Sequence, residues 1–281
     1  HLVQMLNILE RWPLRDWGPN SAQTVHHMAE AMKLAYADRA EYLGDPAFVS
    51  VPLAGLTSKK YADTLAQHIR PDSARSAQTI KPGQPLPFES DQTTHYSVVD
   101  QAGNMVAVTY TLNTNFGSGI VAAGTGILLN NEMDDFSAKP GVPNAYGLVG
   151  GAANAVAAGK RPLSSMTPTL VLKDQQPWLV TGSPGGARII TTVLQQIVNG
   201  IDFGMNPAEA AATVRFHHQW MPDELRVEKG FSPDTLHLLR QKGQNVVVKP
   251  AMGRTQTIQV QGQALWGYSD PRNPDGLTLG Y

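Results

Sequence analysis

Two periodicities divide this chain of 281 residues. Over roughly its first third, apolar positions recur at helical spacing; from Thr93 they alternate. Leu2, Met5, Leu6 and Leu9 share one helical face. Ser21 reads as an N-cap, with Val25, Met28, Ala29, Met32 and Tyr36 following on one face until Gly44, Asp45 and Pro46 stop the helix. A shorter helix is predicted after Thr57, through Tyr61, Leu65 and Ile69. Residues 71–92, PDSARSAQTIKPGQPLPFESDQ, hold four prolines and few apolar anchors, which predicts an exposed, mobile segment. Loops of that length are uncommon inside compact domains.

At DQTTHYS the pattern turns to strand. THYSVVD alternates, QAGN is a turn, and MVAVTYTLN alternates again. Further strands are predicted at GILLNN, PTLVLKD, PWLVTGS, LRVE, NVVVK, TIQV and ALWGYS. Helices are predicted from about Ala187 to Asn199, after Asn206-Pro207, and from Ser232-Pro233 to Gly243; a capping side chain followed by proline marks the last two. Hairpins interleaved with helices favour an α+β layered sandwich over a doubly wound parallel sheet. No internal repeat is visible.

Composition narrows the function. A formal net charge of -1 gives no field that would draw nucleic acid or an anionic membrane. No apolar run is long enough to span a bilayer. Without cysteine, thiolate catalysis, disulfides and cysteine-ligated zinc are excluded. The chain opens at His1 inside an amphipathic helix, with no initiator Met and no signal peptide, so it reads as part of a longer protein.

Folding the hairpin about Gly103-Asn104 puts Thr93 beside Leu112, within about one residue of register, and puts Thr111 and Asn113 on one face. Three hydrogen-bonding side chains then meet at one end; threonine also simply favours strands. A threonine hydroxyl needs a base. An amino-terminal threonine carries its own, because an α-amine has a pKa near ~8. Such chemistry requires a cut between Gln92 and Thr93. Acyl transfer also needs oxyanion donors, and WLVTGSPGGARIITTVLQQIV places Gly185 and Gly186 before a helix start; a plain tight turn fits the same pattern. No Lys-Ser/Thr follows, which rejects a Walker loop. NNEMDDF clusters Glu132, Asp134 and Asp135, which suits a cation or a solvated acidic turn. RPLSSMTP sets Ser164 and Ser165 in a loop, to hold a carboxylate or merely to turn. His26-His27 and His217-His218 read as helix and core residues.

Together these segments resemble the γ-glutamyltranspeptidases, amino-terminal-nucleophile (Ntn) hydrolases. The likeness is carried along the whole chain by EAMKLAYADRAEYLGDP, TTHYSVVD, TYTLNTNFGSG, GILLNNEMDDFSAKPGVPNAYGLVGG, KRPLSSMTPT, TGSPGGARI, RFHHQW and SDPR. It implies a four-layer α/β/β/α sandwich and a precursor that cuts itself in two. Residues 1–92 would be the end of a large subunit and 93–281 a small catalytic subunit, together one interleaved domain, with the first part of the large subunit upstream. By resemblance, Thr93 is the nucleophile and Thr111 assists it. Asn113, Glu132 and Asp135 grip a substrate α-ammonium, Ser164 and Ser165 its carboxylate, and Gly185 and Gly186 the oxyanion. Some relatives carry a neutral Gln at the Glu132 position. Residues of about 140–150, with Tyr146, match a lid over the pocket, and an arginine against the carboxylate belongs upstream. The implied activity is γ-glutamyl transfer and hydrolysis, on glutathione and similar compounds. It takes place without metal or organic cofactor, uses an amino acid or water as acceptor, and is periplasmic or secreted. A cephalosporin or glutaryl acylase on the same fold, or an uncleaved inactive homologue, is the alternative.

Overall fold

The computed structural model describes residues 1–85, 96–114, 116–144 and 147–280. Helices dominate the first part: α1 (Leu2–Leu9), α2 (Leu14–Trp17), α3 (Ala22–Tyr42), α4 (Leu53–Leu56) and α5 (Lys59–Ala66). Ser21 caps α3 as its sequence predicts, its hydroxyl accepting from the Thr24 N–H at 3.1 Å. The single apolar face expected of α3 is too narrow a description: 18 of its 21 residues are buried. Its alanines let neighbours approach on every side, and its charged side chains are enclosed with them. Lys33 Nζ meets Glu30 Oε1 at 2.7 Å and also donates to the Arg75 carbonyl. Burying such a pair is tolerable only because every charge is matched and hydrogen-bonded.

As far as residue 85 the segment after α5 is mostly exposed or half-buried, as its composition predicts, but it is pinned at a few points. Ala77 and Ile80 are buried, the Ala77 N–H donates to Asp223, and the Trp220 indole donates to the Ala77 carbonyl. Partners far along the chain supply what its few apolar residues lack.

β1 (Tyr96–Val99) and β2 (Met105–Val108) form the predicted hairpin, pairing Tyr96 with Val108. That is one residue from the register that put Thr93 beside Leu112; Thr93 and Gln92 lie outside the described residues. A second, antiparallel sheet has the order β3 (Thr169–Lys173), β4 (Gln176–Thr181), β8 (Gln256–Gln261), β9 (Ala264–Ser269). The hairpin lies against it, with the Ser97 hydroxyl donating to the Gln256 carbonyl at 2.9 Å. The predicted GILLNN strand does not form. Gly124 and Gly126 take positive φ, and Asn130 spends its side chain on the Glu132 N–H.

α6 (Ile189–Ile201) separates two cores. Ile189, Val193 and Ile197 pack on Leu179 of the sheet, while Ile190, Leu194 and Val198 join the cluster around α1 and α3. α7 (Pro207–Ala212) starts with a complete capping box on Asn206 and Glu209. A small sheet of β5 (Phe216–His217), β6 (Leu225–Val227) and β7 (Val246–Val248), with α8 (Pro233–Gln241), closes the helical side. The result is an α+β stack of helices, sheet and hairpin. Among the described residues no helix covers the outer face of the hairpin, where Val98 and Val106 are exposed.

Three buried charges and a half-buried one, Arg272, lock the end of the last strand to this frame. Arg215 pairs with Asp270, and Arg272 bridges Glu228 at 2.6 Å and Asp270 at 3.2 Å. Burial alone would raise the Asp270 carboxyl, but the Arg215 charge and hydrogen bonds outweigh it and hold the group below the usual range. Asp270→Asn leaves Arg215 short of a charge partner in the core. The substitution is expected to lower the unfolding free energy of the full-length protein by about 3 kcal/mol, read as a shift of the urea midpoint at constant slope.

Candidate active site

A cleft of about 690 Å³ opens where five loops meet. They are the run beyond β2, the turn at Glu132–Asp135, the Ser164–Met166 loop, the glycine turn before α6, and the Pro250–Arg254 loop. Thr111, Asn113 and Asp135 line it, as do Ser164, Ser165 and the Gly185–Gly186 pair. Tyr146, like Gln92 and Thr93, lies outside the described residues. Glu132 sits behind Asp135 and does not line the cleft.

Thr111 Oγ1 accepts from the Asn113 N–H at 2.8 Å. Asn113 itself has φ +74°, a left-handed conformation that asparagine tolerates better than most residues. Asn131 holds it there. The Asn131 carbonyl accepts from Asn113 Nδ2 at 3.2 Å, its N–H donates to the Leu112 carbonyl, and its Oδ1 accepts from the Thr114 N–H. Strain fixed this way from outside is typical of functional positions.

Glu132 and Asp135 share one 3₁₀ turn, three residues apart, so their carboxyls face each other. Burial, then the neighbouring Asp135 charge, pushes Glu132 up to about 7. Burial raises Asp135 as well, but Arg39 opposes that rise. Arg39 thus favours the charged form of Asp135, while burial and the Asp135 charge favour the protonated form of Glu132. Asn154 braces the turn, donating from Nδ2 to the Asp135 carbonyl at 2.7 Å while its Oδ1 accepts from the Leu163 N–H.

Arg39 is buried on α3 and lies behind the cleft, which it meets through Ser165. Its Nη2 donates to Ser165 Oγ at 2.8 Å, which leaves the Ser165 O–H to point elsewhere. Ser164 Oγ accepts from the Met166 N–H at 3.1 Å, with the same consequence. Two oriented hydroxyls beside a buried guanidinium make an anion seat next to the acidic turn. The sequence showed the serines but not Arg39, Asn131 or Asn154. An arginine amid the alanines of a buried helix, and asparagines flanking turns, were the only visible signals.

Gly185 has φ +144° and Gly186 φ +59°, values closed to most side chains. Among the described residues neither N–H has an acceptor. Both sit ahead of α6, whose N-terminal partial charge favours an anion. The turn is pinned from both sides: Tyr36 Oη donates to the Ala187 carbonyl at 2.5 Å, and the Arg254 N–H donates to Ser183 Oγ at 2.8 Å. The lid-like stretch forms a small loop with Pro143 bridged to Val149 and does not line this cleft as far as it is described. The buried histidine pairs are structural: His217 Nδ1 lies 2.7 Å from Thr191 Oγ1, and His26 Nε2 lies 2.7 Å from the Arg70 carbonyl. Among the described residues no cluster of His, Asp and Glu suits a metal, and no helix is long and apolar enough to cross a membrane.

Comparison with known proteins fits this arrangement. The Escherichia coli glutathione hydrolase proenzyme is 65% identical over all of this chain and 49% of its own length. The chain thus spans about half the length of the curated relatives it matches. A threonine-to-alanine variant of Helicobacter pylori γ-glutamyltranspeptidase superposes with a TM-score of 0.63 at 56% identity, over 64% of this chain and 100% of that one. A cephalosporin acylase from Bacillus halodurans superposes with a TM-score of 0.83 at 29% identity, over 96% of this chain and 47% of that one. The family model described as Gamma-glutamyltranspeptidase matches residues 1–279, and the chain belongs to that family.

Proposed function

We propose that this chain carries the catalytic half of an enzyme that transfers and hydrolyses γ-glutamyl groups, with Thr93 as its nucleophile. The observation that carries the proposal is the pairing, in one cleft, of two N–H groups without acceptors among the described residues and a seat for a zwitterion. In the precursor, Thr93 Oγ attacks the Gln92 carbonyl and the peptide C–N bond breaks, which frees the Thr93 amine and leaves an ester. Water then cleaves the ester, giving a Gln92 carboxyl and an amino-terminal threonine. Residues 1–92 become the end of the large subunit and 93–281 the small one.

The free α-amine next takes the proton of the Thr93 hydroxyl as it attacks the substrate γ-carbonyl. Asp135 and Asn113 hold the substrate α-ammonium, and Ser164 and Ser165 its carboxylate. Fixing both ends over the nucleophile supplies the orientation that lowers the barrier. The tetrahedral oxyanion is stabilised by Gly185 and Gly186 N–H. The amine leaves, a γ-glutamyl ester remains on Thr93, and water or an amino acid accepts the acyl group.

The acylase reading shares the nucleophile and the oxyanion turn. It has no use for a half-buried carboxylate pair beside the cleft, and that observation favours the γ-glutamyl head group. Glu132 adds a pH dependence. Losing its proton near 7 adds negative charge behind the ammonium site, so donor KM falls as pH rises from 6 to 8.

Three measurements on the full-length protein check this. Intact mass of purified precursor should resolve into two chains, one starting at Thr93, whereas Thr93→Ala stays whole; a wild type that stays whole while folded refutes the nucleophile. Asp135→Asn should raise donor KM about 10-fold or more, the scale of one charged hydrogen bond; an unchanged KM removes Asp135 from the ammonium site. Glu132→Gln should flatten donor KM between pH 6 and 8, and a retained slope assigns that titration elsewhere.

A further inference from the structure

The peptide unit at Gly83 is held more firmly than a linker needs. Its N–H donates to Asp38 Oδ1 at 2.7 Å, and its carbonyl accepts from Tyr42 Oη. The other Asp38 oxygen accepts from Gln4 Nε2 at 2.6 Å and Tyr61 Oη at 2.8 Å. One buried carboxylate therefore gathers α1, α3 and α5 onto a single backbone amide. The fit is close: a Cβ at position 83 would lie 1.9 Å from Tyr61 Oη, so only glycine seats here without displacing that hydroxyl. The position is not forced by left-handed backbone; contact alone demands glycine.

None of these four side chains touches the cleft. What the clamp does hold is the point from which the chain runs on to the Gln92–Thr93 bond, nine residues downstream of Gly83. On the far side, Tyr96 opens β1 and is fixed in the hairpin. In sequence, the bond to be cut lies between these two anchors. Pro82 and Pro85 lie on either side of Gly83, and proline restricts the backbone locally, so the clamped unit is itself stiff.

We propose that Asp38 and Tyr42 are positioning residues for self-cleavage, acting by holding the Gly83 peptide unit. This rests on the reading that the precursor cuts itself before Thr93. Once the cut is made, the acyl acceptor and donor reach the cleft from solvent, and the clamp no longer matters to turnover. Maturation and catalysis should then respond differently to its loss.

The experiment uses the full-length precursor with Gly83→Ala and, separately, Tyr42→Phe. Cleavage is followed by intact mass, γ-glutamyl-p-nitroanilide turnover is measured per matured molecule, and thermal melting is measured in a Thr93→Ala background that cannot cut. The expected result is cleavage slowed about 10-fold or more, the scale of a small misplacement of reacting groups. Turnover per matured molecule should stay within about twofold of wild type, and the uncut melting temperature within a few degrees. Wild-type cleavage rates in both variants overturn the proposal. A parallel loss of cleavage, turnover and melting temperature also overturns it, because the clamp is then only part of the fold. A wild-type precursor that never cuts refutes the underlying reading, and is distinguished by its own control.

Discussion

A charge enclosed in a protein core must find a partner, and α3 encloses four: Glu30, Lys33, Asp38 and Arg39. Each costs several kcal/mol to desolvate alone. Much of the surrounding structure is the set of answers to that demand. Glu30 and Lys33 take up the backbone at Arg75. Asp38 gathers two helices and Gly83. Arg39 reaches Ser165 and biases the acidic turn through Asp135. The helix thereby connects the segment before the proposed cut with the cleft that would use the new terminus.

The cleft is built from mismatched solvation. One side holds two carboxyls too close and too buried for both to ionise readily. The other holds N–H groups that no described acceptor satisfies. Both imbalances are costly in an empty protein and are relieved by a ligand, which is how a site stores selectivity for a head group of matching charge. The frame must be rigid for this to hold. The glycine turn is therefore stapled by Tyr36 on one side and by the Ser183–Arg254 contact on the other.

Local signals carried most elements. The caps at Ser21 and Asn206 and the alternation in β3, β4, β8 and β9 gave helix starts and strands that form where expected. Failures came where distant contacts decide. α3 reads as one-faced because its alanines and charges look like surface, yet tertiary partners make them interior. Residues 71–85 are mostly exposed or half-buried, as read, but their anchoring at Ala77 was invisible because Asp223 and Trp220, which hold it, lie far along the chain. In the site, residue types with an obvious chemistry were visible: serines, acids, paired glycines. Arg39, Asn131 and Asn154 act by aiming those groups, and nothing local in sequence marks an aiming role.

The Gly185–Gly186 pair has a genetic consequence. A single-base change at the first or second position of a glycine codon yields alanine, valine, serine, cysteine, arginine, tryptophan, aspartate or glutamate, or in one case a stop. None of these takes φ +144° or +59° easily, and the acidic ones would place a negative charge where an oxyanion must form. Almost every amino-acid change that one base can make in these two codons is thus costly, and only silent third-position changes are free. The neighbouring Ala187 carries no such requirement. Amino-acid drift in this loop should therefore be sharply uneven, with two positions fixed as glycine beside neighbours that backbone conformation does not constrain in this way.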